Sequence, residues 1–199
     1  MMYDRDIREP LFEFLEEYYG KIRIIEEKRI GRSRADVVMV LSNAVCGIEI
    51  KSDADTYARL SRQVQDYDQY CDCNYIVAGT RHAHHVAEHV PNWWGIITAE
   101  LEEGRPDFYV LRKPGANPKV DWQKKMSLLW RPELVHIQEL NQMPRYKEKS
   151  KQFVIEKILL KVPKDKLYGQ ISQELFERDY TKIAEDIRAY RKRNGGNKK

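Results

Sequence analysis

Residues 35–53, ADVVMVLSNAVCGIEIKSD, constrain the fold more than any other stretch of the chain. Two runs of strand-forming residues flank a short polar link around Asn43, the pattern of a β-hairpin. The runs are apolar in the way buried strands are, yet they carry Asp36, Glu49 and Lys51. Charge on a buried sheet face is costly unless it is paired or holds a metal ion. With a two-residue turn at Asn43 and Ala44, Ser42 faces Val45, Val38 faces Glu49 and Asp36 faces Lys51. Side chains alternate along a strand, so Asp36, Val38, Glu49 and Lys51 share one face, and Ala35, Val37, Met39, Ile48 and Ile50 share the other. Diagonal neighbours such as Asp36 and Glu49 start about 7 Å apart. That gap suits one divalent ion held by both carboxylates, with the lysine beside it. The plainer reading is an Asp36–Lys51 salt bridge at the end of a sheet.

The rest of the front half alternates helix and strand signals. Ile7, Leu11, Phe14, Leu15 and Tyr18 form one stripe of a first helix that ends at Gly20. KIRIIEEKRI reads as a strand before the hairpin. DTYARLSRQVQDYDQYC follows it as an amphipathic helix with Tyr57, Leu60, Val64, Tyr67 and Cys71 inward. NYIVAGT is a strand, RHAHHVAEHVP a short helix stopped by Pro91, and WWGIITAE and DFYVLRK two more strands. This order predicts an α/β domain, a mixed central sheet flanked by helices, over residues 1–112. A Pro- and Gly-containing linker occupies 113–118, a helical basic region 119–190 and a frayed basic tail 191–199.

Charge is unevenly spread. Residues 1–111 hold 13 Lys and Arg against 20 Asp and Glu, and residues 112–199 hold 22 against 11. The basic back half is where phosphate contacts are expected, with Lys147, Lys149 and Lys151 among the candidates. A solvated lysine-rich surface, a protein partner or a second subunit of a homodimer are the alternatives. No run approaches the ~18 apolar residues of a membrane span, and MMYDRDIREP lacks the apolar core of a signal peptide. Cys46, Cys71 and Cys73 have no metal-finger spacing and read as free thiols in a reducing cytoplasm.

The acid on one strand, in RAD, and the EIK on the next resemble the PD-(D/E)XK, restriction-endonuclease-like nuclease superfamily, with arginine-alanine in place of the variable proline position. EEKRIGRSRAD, GIEIKSDADTYARLSRQVQDY and VPNWWGI are similar to a small bacterial and phage branch of it, and LLWRPELVHIQEL is a weaker echo. The resemblance spans roughly residues 7–97. It implies a restriction-endonuclease-like core and Mg²⁺-dependent hydrolysis of phosphodiester bonds in a nucleic acid, DNA first, with Mn²⁺ as a substitute ion. Asp36 and Glu49 would supply ligand oxygens, with the Ile50 carbonyl as a third. Lys51 would touch the attacking water and the phosphate. Its ordinary pKa of ~10.4 makes electrostatic positioning a better role than general base. Glu27 matches the extra acidic position of related members. Glu26 competes with it, because alternation sends the two to opposite faces, and Glu9 or Glu13 of the first helix are further alternatives. Gln63 resembles the helix glutamine that assists the site, and Tyr67, four residues on, shares its stripe as a nucleic-acid contact. Both also read plainly as boundary residues. Ser52, Asp53 and Asp55 read as helix caps, and Arg59 and Arg62 as phosphate contacts or a solvated face.

Two other readings stand beside this one. A nuclease-like module that binds nucleic acid or protein without turnover fits the same residues. His85, Glu88 and His89 form the HxxEH pattern of inverted zinc peptidases, in which two histidines four apart on a helix share one ion. Trp93 and Trp94 either stack bases or pack the sheet, with packing favoured by the GIIT that follows.

Overall fold

The computed structural model describes residues 2–179. The region 180–199, including the expected basic tail, lies outside the described residues. Six strands form one open mixed sheet in the order β1-β2-β3-β4-β5-β6. The strands are β1 (Arg23–Ile30), β2 (Ser33–Val40), β3 (Val45–Lys51), β4 (Cys73–Gly79), β5 (Gly95–Glu102) and β6 (Arg105–Arg112). Neighbours pair antiparallel except β3–β4 and β4–β5, which are parallel. The parallel β3–β4 pair needs a crossover, and α2 (Leu60–Tyr70), entered through a 3-10 turn at Tyr57–Arg59, supplies it.

Each sheet face carries its own apolar layer. On one side α1 (Asp4–Tyr19) lays Ile7, Leu11 and Leu15 against Val37, Met39, Ile48, Ile50, Tyr75 and Val77. On the other, Leu60, Val64 and Tyr67 of α2 meet Val38, Val40, Ile76 and Ala78. The same layer continues into α3 (Trp122–Ser127), α4 (Arg131–Leu140), α5 (Lys151–Lys161) and α6 (Lys164–Glu177) through Met126, Leu134, Ile137, Ile155, Ile158, Leu167 and Ile171. The described part of the basic back half is therefore built into the domain's own core. Burial of such side chains, each worth about 1.5–3 kcal/mol, is the main force holding these layers together.

Several expectations change. The hairpin turn has four residues, 41–44, closed by the Leu41 N–H on the Ala44 carbonyl at 2.8 Å. The register is Val37↔Ile48 and Val40↔Val45, two residues away from the expected pairing, so that Asp36 does not pair with Lys51 and the ladder ends before it. A slip of two keeps every side chain on its face, whereas a slip of one would have inverted them all. Ala35 departs from the alternation and joins the α2 layer, because the strand is irregular at Asp36. The segment 81–91 is a series of turns with a single 3-10 turn at Val86–Glu88. His85 and His89 flank that turn, so the helix face on which they would share zinc is not formed. His89 instead stacks on Tyr57, with ring centroids 4.0 Å apart. The long helix expected after Asp121 breaks in two, since Pro132 opens α4 and the Glu133 carboxylate caps the Trp130 N–H at 2.6 Å. Trp94 packs in the core with its indole N–H on buried Asp68 at 2.8 Å, and Trp93 reaches the same oxygen at 3.2 Å.

Candidate active site

The site forms where β2 and β3 part. Their ladder stops at Val37↔Ile48. Beyond it the Tyr67 hydroxyl, arriving from α2, stands between the strands: it accepts the Asp36 N–H at 3.0 Å and donates to the Ile48 carbonyl at 3.0 Å. The ring can lie this close because position 47 is glycine, where a Cβ would collide with it. Tyr67 is fully buried and both functions of its hydroxyl are committed to backbone, so it is a wedge and not a nucleic-acid contact.

Across the opening, Asp36 Oδ2 accepts the Ile50 N–H at 2.9 Å. Ile50 thus meets the site through its amide. On the next residues Glu49 and Lys51, both buried, point toward α2. Lys51 Nζ donates to Glu49 Oε1 at 2.5 Å and to Gln63 Oε1 at 3.1 Å, while Gln63 Nε2 donates to the same Glu49 oxygen at 2.5 Å. The three side chains close a triangle. The plainer alternative, an Asp36–Lys51 salt bridge, is not formed; Lys51 pairs with Glu49. Glu49 Oε2 is buried with no hydrogen-bond partner among the described residues. An anionic oxygen left without a partner in a desolvated place is expensive.

Burial raises the Asp36 pKa from the ordinary carboxylate range to about 7, and the Glu49 charge adds to the rise, against the Ile50 N–H, Lys51 and Arg8. Arg8, on α1, closes the site from the other face. It bonds Asp4 Oδ2 at 2.6 Å, Glu27 Oε1 at 2.8 Å and the Asp36 carbonyl at 3.3 Å, and stands 3.7 Å from Asp36 Oδ1. Burial works against its charge, but the hydrogen bond and charge of Asp4, with the charges of Asp36 and Glu27, outweigh this and hold its pKa above the usual arginine value. Nothing near Arg8 in sequence marks it as a site residue except Asp4 four positions earlier.

Glu27 departs from its expected role. Its φ of 52° breaks the strand alternation, so Glu26 and Glu27 both reach Arg8, and Glu27 also pairs with Arg34. Its carboxylate is held among guanidiniums. Glu9 and Glu13 of α1 are exposed, and Glu13 lines a groove with Arg105 and Phe108 elsewhere on the surface. Asp53 and Asp55 serve backbone: Asp53 accepts the Met2 and Arg81 N–H groups, and Asp55 accepts the Ser52 N–H and hydroxyl. Lys147, Lys149 and Lys151 sit on and after the α4–α5 connection. Lys151 holds the Ser127 carbonyl at 2.8 Å and Lys149 lies over the Phe153 ring. No hydrogen bond joins them to the site among the described residues.

Among the described residues no three His, Cys, Asp or Glu side chains gather as a metal-binding cluster. The opening between β2 and β3 offers two carboxylates. Mg²⁺ needs no all-protein cage, since it keeps waters and takes one or two carboxylates together with substrate oxygens. The Glu49 Oε2 without a partner among the described residues and the desolvated Asp36 carboxylate fit such an ion.

The family described as Bacteriophage P4 protein cII matches residues 2–194. No curated protein matches the chain. A solved structure, that of Pyrococcus furiosus SfsA in complex with Ca²⁺, aligns with a TM-score of 0.32 and 19% identity over 53% of this chain. The chain spans 59% of that structure, and the likeness is too slight to bear on function. No helix of the described residues is long and apolar enough to cross a membrane.

Proposed function

The chain belongs to the bacteriophage P4 protein cII family, and we propose that it is a metal-dependent nuclease of PD-(D/E)XK type, hydrolysing phosphodiester bonds in DNA. The observation that supports this most is the placement of Asp36 and Glu49 at the split of β2 and β3, with Lys51 fixed beside Glu49 and Glu49 Oε2 buried without a hydrogen-bond partner among the described residues.

In the reaction a water oxygen adds to phosphorus as the bond to the sugar oxygen breaks. The water gives up a proton, the leaving oxygen takes one, and a phosphomonoester and a hydroxyl result. Asp36 and Glu49 would hold Mg²⁺ or Mn²⁺, which would supply charge neutralisation at the phosphate and a more acidic water. The chain's own groups do the positioning. An ammonium has three N–H donors. Lys51 spends two on Glu49 and Gln63, which leaves the third for a phosphate oxygen or the attacking water. Gln63 fixes the lysine and the glutamate in one orientation. Arg8 balances the acids from the α1 side.

The test is cleavage of labelled duplex, single-stranded and nicked DNA, and of RNA, with Mg²⁺, Mn²⁺ or EDTA, by wild type and Lys51→Ala. Metal-dependent cutting that the variant loses is the expected result. Equal activity in the two proteins would end the nuclease reading. Binding without turnover is a second reading, favoured by the small number of acids at the site among the described residues. It would show as metal-dependent binding with intact substrate.

A further inference from the structure

Beside the triangle of Glu49, Lys51 and Gln63 lies a cavity of about 270 Å³ lined by Arg32, Arg34, Arg59 and Arg62, with Ser33, Asp36 and Gln63 completing the wall. Two elements bring the arginines together. Arg32 and Arg34 flank Ser33 at the β1–β2 turn, which Gly31 makes with a φ of 54°. Arg59 immediately precedes α2 and Arg62 lies in its first turn. The turn is tied to the helix by the Ser33 hydroxyl on Asp66 at 2.6 Å, so the four arginines line one cavity on a fixed frame.

Four like charges around so small a space repel one another unless an anion sits among them. Arg34 is answered by Glu27, but among the described residues Arg32, Arg59 and Arg62 make no salt bridge. We propose that this cavity seats a terminal phosphate of the nucleic acid, so that the substrate is a polynucleotide end carrying a phosphomonoester. The proposal rests on the nuclease reading of Asp36, Glu49 and Lys51. A diester inside a strand offers a single negative charge, and its chain must leave the cavity on both sides. A terminal phosphate needs one opening and carries about −1.5 to −2 charges with three strong acceptor oxygens at neutral pH. Guanidinium forks match those oxygens in pairs. Asp36 and Gln63 belong both to the cavity wall and to the candidate active site, so the phosphate held there and the bond cut are neighbours along one strand.

The experiment uses internally labelled duplexes that differ only in their ends: 5′-phosphate, 3′-phosphate, or hydroxyl at both. Closed circular DNA of similar sequence is the fourth substrate. Binding is read by anisotropy with Ca²⁺ and cleavage with Mg²⁺, for wild type, Arg59→Ala/Arg62→Ala and Arg59→Lys/Arg62→Lys. All four arginines are exposed, so the variants keep the fold, which circular dichroism checks. Expected is at least tenfold tighter binding and faster cutting of one phosphorylated end than of hydroxyl ends. The alanine pair would lose that preference and the lysine pair would recover part of it. Equal affinity for phosphate and hydroxyl ends, or a circle cut as fast as the phosphorylated linear DNA, overturns the proposal and assigns the arginines to an internal diester. A phosphate preference that depends on the arginines, without metal-dependent cleavage, supports the cavity and ends the nuclease reading alone.

Discussion

Tyr67 lies directly on Gly47, and that contact places its hydroxyl between the Asp36 N–H and the Ile48 carbonyl. A hydroxyl thus stands where two strands would otherwise continue to pair. The strands open, and Asp36 is free to turn its carboxylate to the Ile50 amide. A packing requirement on α2 therefore shapes the acidic site on the sheet.

Gly47→Ala would force the Tyr67 ring away from β3. Overpacking of this kind costs about 1–3 kcal/mol. Tyr67→Phe keeps the ring but leaves the Ile48 carbonyl and the Asp36 N–H without their shared partner, a loss of about 1–3 kcal/mol. Both should lower the denaturation midpoint in urea, and the phenylalanine variant should also impair metal-dependent function. Wild-type stability in Gly47→Ala would show that the ring does not need the glycine.

Removing one partner of a buried ion pair strands the other. Lys51→Met takes the ammonium from Glu49, which is 1% exposed and keeps only Gln63. Breaking such a pair typically costs about 3–5 kcal/mol. The double variant Lys51→Met/Glu49→Gln should recover much of the stability and none of the activity. Chemical denaturation of the two variants separates the outcomes, and an unaffected Lys51→Met would mean that solvent reaches Glu49.

Asp36 gives a pH dependence whose sign follows from its direction of shift. Its folded pKa, about 7, lies above the ordinary value of 3.8, so between those values the native state holds a proton the unfolded chain has released. Its contribution to stability is greatest at the acid end and falls as pH rises to about 7, at up to about 1.4 kcal/mol per unit. Asp53 acts oppositely, with its lowered pKa. Burial works against that lowering, but the Met2 and Arg81 N–H groups outweigh it. The informative quantity is therefore the difference between wild type and Asp36→Asn in metal-free buffer. That difference should favour the variant increasingly from pH 4 to 7 and then level. A flat difference would mean that Asp36 is ionised in the native state throughout.

The chain declared its strands and the faces of its acids more readily than their exact partners. Asp36, Glu49 and Lys51 were legible because charge in an apolar strand is conspicuous, and parity survives an error of two in register. The register itself hung on whether Leu41 and Ala44 belong to strand or turn, which their apolar side chains conceal. Gln63 entered through the family resemblance and not through its spacing, and the spacing that put Tyr67 on its stripe mistook that residue, whose role needs Gly47 on a distant strand. Glu27 was misplaced because a positive φ at a glutamate has no local signature. The segment 81–91 looked helical from composition, yet its chain turns repeatedly, with His82 Nε2 against the Asp55 carbonyl at 3.1 Å. Arg8 and the arginine cavity are products of tertiary proximity between α1, the β1–β2 turn and α2, and no short window of sequence contains them.

A cation that binds the folded site and not the unfolded chain must stabilise the protein by mass action. At a hundredfold excess over its dissociation constant the gain is about 2.7 kcal/mol. Mg²⁺ or Mn²⁺ should therefore raise the thermal midpoint of the wild type above that in EDTA, with a dependence on ion concentration. Asp36→Asn and Glu49→Gln each remove one carboxylate that the ion would hold, and each should abolish the rise. Glu27→Gln should leave it intact, because that carboxylate is engaged by Arg8 and Arg34. The readout is independent of cleavage, so it separates a site that binds metal from one that turns over substrate. A rise of the same size in all four proteins would place the ion elsewhere. No rise in the wild type would leave Glu49 Oε2 a buried, unpaired oxygen and withdraw the metal from the proposed chemistry.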